Sequence, residues 1–302
     1  MKVREPDHKI LQSSLKLGLV SVISFLPLSA LTAQSNNQAE ILNSPRGAEN
    51  RAQVTLVPPV GKKLRFKTIE EREFSGVKIR HVIERNVVIE RLGRGYTVSL
   101  AIVSIDTDGP EKLVARVAAG YRLLKGKEFN FTLSADGQTL KVIREKQYWD
   151  MLNKGIEALK KRATKQNLSP EQYSRLIAFY DQFAALSPSE REYLGVAQLA
   201  PLFQFSGLKI ELNKKHKISS GNNSMYGVPL SPNSIVEAKR TASGQLALTE
   251  SIGGREAPLE HKARYIISDQ TGMLVSSREK ITTRTASGTQ NTRIWQSVEP
   301  LK

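Results

Sequence analysis

The strongest constraint on the fold is a long alternation of apolar and polar side chains between Val77 and Arg91. Apolar residues or a histidine recur at a period of two, at Val77, Ile79, His81, Ile83, Val87 and Ile89, and charged or amide side chains occupy most positions between them. A period of two is typical of a β-strand that buries one face and exposes the other. At about 3.3 Å per residue such a strand would be about 50 Å long, so we predict a bend near Arg85 and Asn86.

Period-two patterns occur on both sides of a helical middle segment, and turn signals such as Asp136-Gly137 separate them, which is typical of antiparallel strands. The first of these patterns includes the apolar residues Leu64 and Phe66, which alternate with charged residues. The other predicted strands are Tyr96–Ile105, Leu113–Ala119, Lys127–Leu133, Thr139–Ile143, Leu208–Leu212, Ser234–Lys239, Gln245–Ile252, Ala263–Ile267, Met273–Ile281 and Thr292–Ser297. Residues 213–233 are rich in lysine, glycine and asparagine and are predicted to form a loop.

The middle of the chain is predicted to be helical. Apolar side chains step by three and four along a helix from about residue 145 to 166, at Trp149, Leu152, Ile156 and Leu159. Two Ser-Pro-x-Gln/Glu segments, at Ser169 and Ser187, have the pattern of a capping box with proline at the first helical position. We therefore predict a second helix to about Ala185 and a third that ends before Pro201.

These patterns predict an α+β fold, with antiparallel sheet packed on a central group of about three helices. Residues 54–302 are assigned to a single domain, with strands over 54–144, helices over 145–200 and strands over 201–302. Whether the two strand regions form one sheet or two stays open at this point.

Four basic residues within 1–16 precede the uncharged run Leu17–Leu28. This order is typical of a secretory signal peptide, which we assign to residues 1–33 with cleavage after Ala33. An uncleaved anchor is the alternative, but the run is shorter than the roughly 20 residues that cross a bilayer, so no permanent membrane span is expected. Residues 34–53 are polar and are assigned to a flexible leader. The protein is expected to be exported to the periplasm or the cell exterior.

The chain has no cysteine, which excludes disulfides, thiolate metal sites and cysteine nucleophiles. An exported chain without cysteine fits a bacterial envelope. His81, His216 and His261 are too far apart in sequence for a local metal motif, and His81 is interpreted as a hydrogen-bonded core residue. No catalytic or phosphate-binding motif occurs. We therefore predict no catalytic residues, no cofactor and no metal.

The sequence is strongly basic, with 45 Lys and Arg against 29 Asp and Glu and a net charge of +16. Such a charge favours anionic partners. Lys214, Lys215 and Lys217 are the candidate anion-binding residues. Nucleic acid is not expected as a partner, because aromatic residues do not interleave with the basic ones.

The order of strands, helices and strands after a signal peptide, with Asp–Gly hairpins at 135–137 and 269–272, resembles the lipid- and lipoprotein-carrier proteins of the bacterial envelope. The resemblance implies a curved antiparallel sheet that closes over helices and leaves an apolar groove. A non-enzymatic carrier of a lipid or acyl chain is the function that it implies, and the stripe Trp149, Leu152, Ile156 and Leu159 is the candidate groove, with a close-packed core as the alternative.

Two other functions stay open. The protein is alternatively an envelope interaction or assembly factor that contacts another envelope protein or an anionic polymer through its basic surface. The third alternative is an enzyme of unrecognised type.

Overall fold

The computed structural model describes residues 50–110, 124–163, 169–170, 173–174, 177–178, 181, 184–217, 234–254, 257–286 and 288–301. Within them the chain forms an eleven-stranded sheet, a two-stranded sheet and two complete helices. The strands are β1 (Arg51–Gln53), β2 (Lys63–Phe74), β3 (Val77–Leu92), β4 (Gly95–Asp108), β5 (Glu128–Leu133), β6 (Leu140–Val142), β7 (Lys209–Glu211), β8 (Lys215–Lys217), β9 (Ile235–Arg240), β10 (Leu246–Ile252), β11 (Leu259–Ile267), β12 (Leu274–Thr285) and β13 (Gly288–Pro300). The helices are α1 (Glu145–Ala163) and α2 (Pro188–Ala197), and a 3-10 turn follows at Ala200–Leu202.

The large sheet consists of two antiparallel meanders. Strands β2 to β6 pair in sequence order on one side, and strands β8 to β13 pair in sequence order on the other. The meanders meet where β2 pairs with β13, from Leu64 opposite Pro300 to Phe74 opposite Gln290. The first long strand therefore lies beside the last one, and the two strand regions form a single sheet.

Each long strand buries one face, which we call the inner face of the sheet, and the opposite side is the outer face. On β2 every second residue from Leu64 to Phe74 is buried. On β3, which has 16 residues, every second residue from Ile79 to Ile89 is buried, as the sequence pattern predicted, and Val82 is buried as well. The predicted bend coincides with a register shift between β3 and β4 at Glu84 and Arg85. The extra residue is Val103 of β4, because Glu84 is opposite Ser104 and Arg85 is opposite Ile102, while β3 pairs with β2 without interruption.

Apolar residues of the inner face form two separate cores. One combines strands β2 to β5 with residues of α2 and the 3-10 turn, including Phe66, Leu100 and Leu202. The other combines β1 and β7 with strands β9 to β12, including Tyr265. Sheet residues therefore supply most of the buried apolar surface on both sides.

The segment that follows β1, residues 54–57, crosses between the two cores. The Val54 amide donates to the Leu208 carbonyl at 2.8 Å, and the Val57 amide donates to the Thr271 carbonyl at 2.9 Å. Val54 belongs to the second core and Leu56 to the first. With β1, which pairs antiparallel with β7, this segment forms a strap that joins the two halves of the domain.

The predicted fold class was wrong in its balance of elements. Of the residues that the structure describes, 54% are in strands and 17% are helical, so this part of the chain is mostly antiparallel sheet and not a sheet packed on a central group of about three helices. The helical patterns over 145–200 received too much weight, because the long strands supply most residues of both cores.

The predictions of individual helices were more accurate than the predicted fold class. Helix α1 spans Glu145–Ala163. Ser187 caps α2 in the predicted capping box, in which the Glu190 amide donates to the Ser187 hydroxyl and the Ser187 amide donates to the Glu190 carboxylate. The second predicted helix, from Ser169 to about Ala185, lies partly outside the described residues.

Other predictions have mixed outcomes. The loop predicted over 213–233 contains strand β8, whose three residues pair with β9 at the edge of the sheet. Strand β1 takes in the last three residues of the segment assigned to the leader. The predicted strand Leu113–Ala119 and the signal peptide over 1–33 lie outside the described residues. None of the helices in the described part of the chain is long and apolar enough to cross a membrane.

Two turn glycines give a matched test of the strap. Gly272 and Gly244 both have a positive φ, +67° and +78°. A Cβ at Gly272 would overlap the Thr55 carbonyl of the strap, whereas a Cβ at Gly244 would meet no atom within 4 Å. Gly244→Ala should cost about 1–2 kcal/mol of unfolding free energy through its backbone conformation alone. Gly272→Ala should cost about 1–3 kcal/mol more, because the strap must shift. Urea unfolding measures both, and equal costs would contradict the strap packing.

Candidate functional site

Three glutamates lie in one row across the inner face. On β2, Glu70 is opposite Ile294 of β13, which is opposite Glu279 of β12. Glu279 is opposite Ala263 of β11, which is opposite Glu250 of β10. Directly opposed residues of antiparallel strands share a face, so the three carboxylates point to the same side, about 10 Å apart. We call Glu70, Glu279 and Glu250 the carboxylate row.

One end of the carboxylate row contains an ion pair and a histidine. Arg72 donates from Nε to Glu70, and the two side chains are 3% and 7% exposed. His81 is opposite Glu70 on β3, and its Nδ1 lies 3.3 Å from the Thr107 hydroxyl. Burial, together with the charge of Arg72, lowers the pKa of His81 to about 4. His81 is therefore neutral at pH 7, and the interpretation of it as a hydrogen-bonded core residue is confirmed.

The other end of the carboxylate row is also partnered. Nε2 of His261 lies 3.4 Å from the Glu279 carboxylate. Burial lowers the pKa of His261, but the carboxylates of Glu279 and Glu250 outweigh burial and raise it above the ordinary value. The Tyr265 hydroxyl donates to Glu250, and burial and the two carboxylates raise the pKa of Tyr265. Each buried carboxylate thus has its own nearby donor.

Arg85 lies within the first apolar core, opposite Phe66 and between Ile83 and Val87 on its strand. It is 1% exposed, and it donates to the Thr68 hydroxyl at 3.0 Å and to the Gln198 side-chain oxygen at 2.9 Å. Its guanidinium lies over the Phe66 ring, 5.2 Å from the centroid. This side chain therefore connects the middle of the sheet to the segment that follows α2.

The candidate groove residues all lie on α1, at Trp149, Leu152, Ile156 and Leu159. The first three are buried, with 4%, 7% and 6% exposure. The neighbouring Tyr148 packs edge-on against Phe129 of the inner face at 5.0 Å, and Arg191 of α2 lies 5.6 Å from the Trp149 ring centroid. Helix α1 is thus placed over the inner face. The side chain of Leu159 lies outside the described part of the structure.

The predicted anion-binding lysines divide between two environments. Lys214 is 2.8 Å from the Glu211 carboxylate, so its charge is compensated. Lys215 and Lys217 are exposed on the edge strand β8, opposite Glu237 and Ile235 of β9. The register places both on the outer face of the large sheet.

Two rows of cations continue from these lysines across the outer face. In one row, Lys217 is followed by Ile235, Ser251, Lys262, Lys280 and Arg293 on successive strands. In the adjacent row, Lys215 is followed by Glu237, Thr249, Arg264, Arg278 and Trp295. We call the seven cations the basic band: Lys215, Lys217, Lys262, Arg264, Arg278, Lys280 and Arg293.

Like charges face each other within the basic band. Arg264 is opposite Arg278, and Lys280 is opposite both Lys262 and Arg293. Such directly opposed like charges are destabilising. Within the residues that the structure describes, Arg264, Arg278, Lys280 and Arg293 take part in no ion pair, and Lys262 is 2.7 Å from Glu260. The band is therefore a largely uncompensated positive surface.

A pocket of about 310 Å³ adjoins the Arg293 end of the basic band. Its lining combines cations with carboxylates, and Arg80 lies 3.5 Å from Glu71. The lining carries four cations and three carboxylates, so the charges of the pocket nearly balance. Among the described residues, no group of three or more His, Asp or Glu side chains is arranged to hold a metal ion.

Sequence reasoning found part of this arrangement. It singled out Lys215 and Lys217 from their local cluster, and it placed His81 on a buried strand face. It missed the carboxylate row and five cations of the basic band, because members on different strands are 13 or more positions apart along the chain and meet only through strand register. The signal available was a glutamate on the apolar phase of a strand pattern, as at Glu70 and Glu250.

No protein-family model matches the chain. No curated protein matches it either. Among solved structures, it is similar to a DUF1329 family protein from Desulfovibrio piger, with 7% identity and a TM-score of 0.22 over 95% of this chain and 92% of that chain. It is also similar to a domain named as an outer membrane lipoprotein-sorting protein from Vibrio parahaemolyticus, with 8% identity and a TM-score of 0.20 over 80% of this chain and 86% of that chain.

A third solved structure is DynF from the dynemicin biosynthesis pathway of Micromonospora chersina, with 9% identity and a TM-score of 0.19 over 91% of this chain and 97% of that chain. Similarity at this level carries no argument about what the present chain does. The functional argument therefore rests on the side chains of the two sheet faces.

The pKa of His81 predicts acid sensitivity. The folded state keeps this imidazole neutral down to about pH 4, whereas the unfolded chain protonates it near its ordinary value of 6.5. Protonation of the unfolded chain alone removes stability as the pH falls from 6.5 to 4, by up to about 3 kcal/mol. His81→Gln should flatten this part of the stability curve, measured by urea unfolding across the pH range. An unchanged slope in the variant would assign the acid sensitivity to other groups.

The opposed cations of the basic band predict a stabilising charge reversal. Lys280→Glu would turn two like-charge contacts, with Lys262 and Arg293, into attractive ones, and should raise the unfolding free energy by about 1 kcal/mol at low salt. Lys67→Glu is the matched control on the same face. Lys67 lies 3.1 Å from Glu84, so this reversal should lower stability. A loss of stability in both variants, measured by urea unfolding, would contradict the described register.

Proposed function

We propose that this is an exported, non-enzymatic binding protein of the bacterial envelope, which holds an amphiphilic ligand with a lipid or acyl chain between the inner face of the sheet and α1. The observation that carries the proposal is the carboxylate row, in which Glu70 and Glu250 are buried, Glu279 is half-buried and each has a donor nearby. Ala263 and Val236 of the second apolar core lie on either side of Glu250 in this row, so the site combines polar and apolar groups.

Ionisable side chains are costly to bury in a protein core. Removing an ion pair from water costs several kcal/mol per ion, and apolar residues of similar size often serve a structural core equally well. A face whose only role was packing would therefore have no need of Glu70, Arg72 and Glu250. Their confinement to neighbouring rows supports a binding role, in which the donors on Arg72 and Tyr265 can be shared with a polar ligand group.

Apolar surface on α1 and the sheet supports the acyl-chain part of the proposal. The stripe of Trp149, Leu152 and Ile156 is buried, and Tyr148 beside it contacts Phe129 of the inner face. Burying an acyl chain against such side chains would contribute about 0.8 kcal/mol per methylene group. Polar groups at the carboxylate row would then orient the chain.

A second candidate function is contact with an anionic partner through the outer face. The observation that favours it is the basic band, in which Arg264 faces Arg278 and Lys280 faces both Lys262 and Arg293. Carboxylates lie only beside its other members, at Glu237, Glu260 and Glu71. The two functions are compatible, because the ligand would lie on one face of the sheet and the partner on the other.

The proposed ligand site is tested by contact quenching of Trp149. Trp295 lies on the outer face, so Trp295→Phe leaves Trp149 as the single reporter. A fatty acid brominated in its chain should quench the Trp149 emission and saturate, whereas the unbrominated acid should compete without quenching. Leu152→Asp should weaken the binding at least tenfold, because a charge would stand in the apolar path of the chain.

Controls separate a lost site from a lost fold. Leu92→Asp makes the same change at a side chain that is 53% exposed, and it should leave quenching unchanged. If circular dichroism shows that Leu152→Asp is unfolded, Leu152→Ala replaces it. Native mass spectrometry of protein from the envelope fraction provides the independent measurement. Absence of saturable quenching together with a ligand-free mass would contradict the proposed function.

A further inference from the structure

We infer that the basic band is a docking surface for an anionic lipid bilayer. The inference rests on the second candidate function above and names its partner as a membrane with acidic headgroups. It is independent of the ligand site on the inner face.

The arrangement of charge is the first argument. Five of the seven cations come from β11, β12 and β13, and those five side chains are all exposed. The two rows run across six adjacent strands, a width of about 24 Å at the usual strand spacing. Each basic residue near an anionic membrane surface adds to binding, and several together bring a protein to the bilayer without a membrane-spanning segment.

The cost of the arrangement is the second argument. Lys262, Lys280 and Arg293 face one another on neighbouring strands, as do Arg264 and Arg278. Elsewhere on the same face, cations stand beside carboxylates, as Lys67 does beside Glu84 at 3.1 Å. A single glutamate among these cations would relieve their mutual repulsion. The repulsion is explained if an external anion neutralises the band.

Apolar side chains within the same rows distinguish a bilayer from a soluble polyanion. Ile235 lies in the row between Lys217 and Ser251 and is 47% exposed. Trp295 is half-buried and lies directly opposite Arg278. A linear anionic polymer offers nothing for an exposed isoleucine, whereas the interface of a bilayer accepts both aliphatic and indole side chains. The observations therefore favour lipid headgroups over a polymer.

The test is co-sedimentation of the full protein with vesicles. Vesicles of phosphatidylglycerol and phosphatidylcholine should bind the protein, and pure phosphatidylcholine vesicles should not. Arg278→Gln/Lys280→Gln should lower the partition coefficient about thirtyfold, and raised salt should have a similar effect. Lys141→Gln/Lys154→Gln removes the same charge from exposed positions outside the band and should change binding by less than about threefold. Ile235→Asn should lower binding about fivefold.

Three results would overturn the inference. The first is equal binding to both kinds of vesicle, and the second is an equal loss of binding in the two double variants. The third is an unchanged partition coefficient in Ile235→Asn together with tight binding of inorganic polyphosphate. This third result would assign the band to a soluble polyanion. Brominated-acid quenching of Trp149 in Arg278→Gln/Lys280→Gln keeps the two proposals apart. Retained quenching with lost vesicle binding isolates the band, and lost quenching with retained vesicle binding isolates the inner site.

Discussion

The pairing of β2 with β13 is the interaction on which the rest of the structure depends. It joins two meanders that would otherwise be separate sheets, and it does so through an unbroken register from Leu64 to Phe74. That register puts Glu70 two strands away from Glu279, and it ends the basic band at Arg293 beside the carboxylates of β2. A shift by one residue would exchange the two faces of one half relative to the other, so both candidate sites exist only in the observed register.

The two faces of the sheet handle charge in opposite ways. On the inner face every carboxylate of the row has a donor beside it, as Arg72 is beside Glu70, because an uncompensated charge in a buried setting would cost several kcal/mol. On the outer face water and salt screen the cations, so repulsion between Lys262 and Lys280 is tolerable. The two faces therefore suit different roles. On the inner face each carboxylate already has a donor, so only a ligand group that can replace that donor would bind. The outer face attracts anionic partners by its net charge.

Local features could be predicted from the sequence, and features that depend on register could not. The capping box at Ser187 needs only four consecutive residues, and the alternation of β3 is contained in one segment of the sequence. The single sheet, by contrast, requires knowing that residues near 64 meet residues near 300, and no periodicity contains that information. The fold class was wrong for a similar reason. A periodic segment shows that a helix forms, but it does not show how much of the buried core that helix supplies. The lysines of β8 were identified because they form a local basic cluster. Their alignment with Arg264 across the sheet was not predicted.

The strap of residues 51–57 has a consequence for the order of events during synthesis. It is the first part of the described chain to be made, yet its partners, at β7 and at Thr271, are made some 155 and 215 residues later. Its buried residue Val54, which belongs to the second core, must therefore stay unpaired while most of the domain is completed, whereas Leu56 belongs to the first core, whose strands follow directly. The strap can therefore dock only after both halves of the sheet have formed. Until then, the N-terminal end of the domain stays open to proteolytic cleavage.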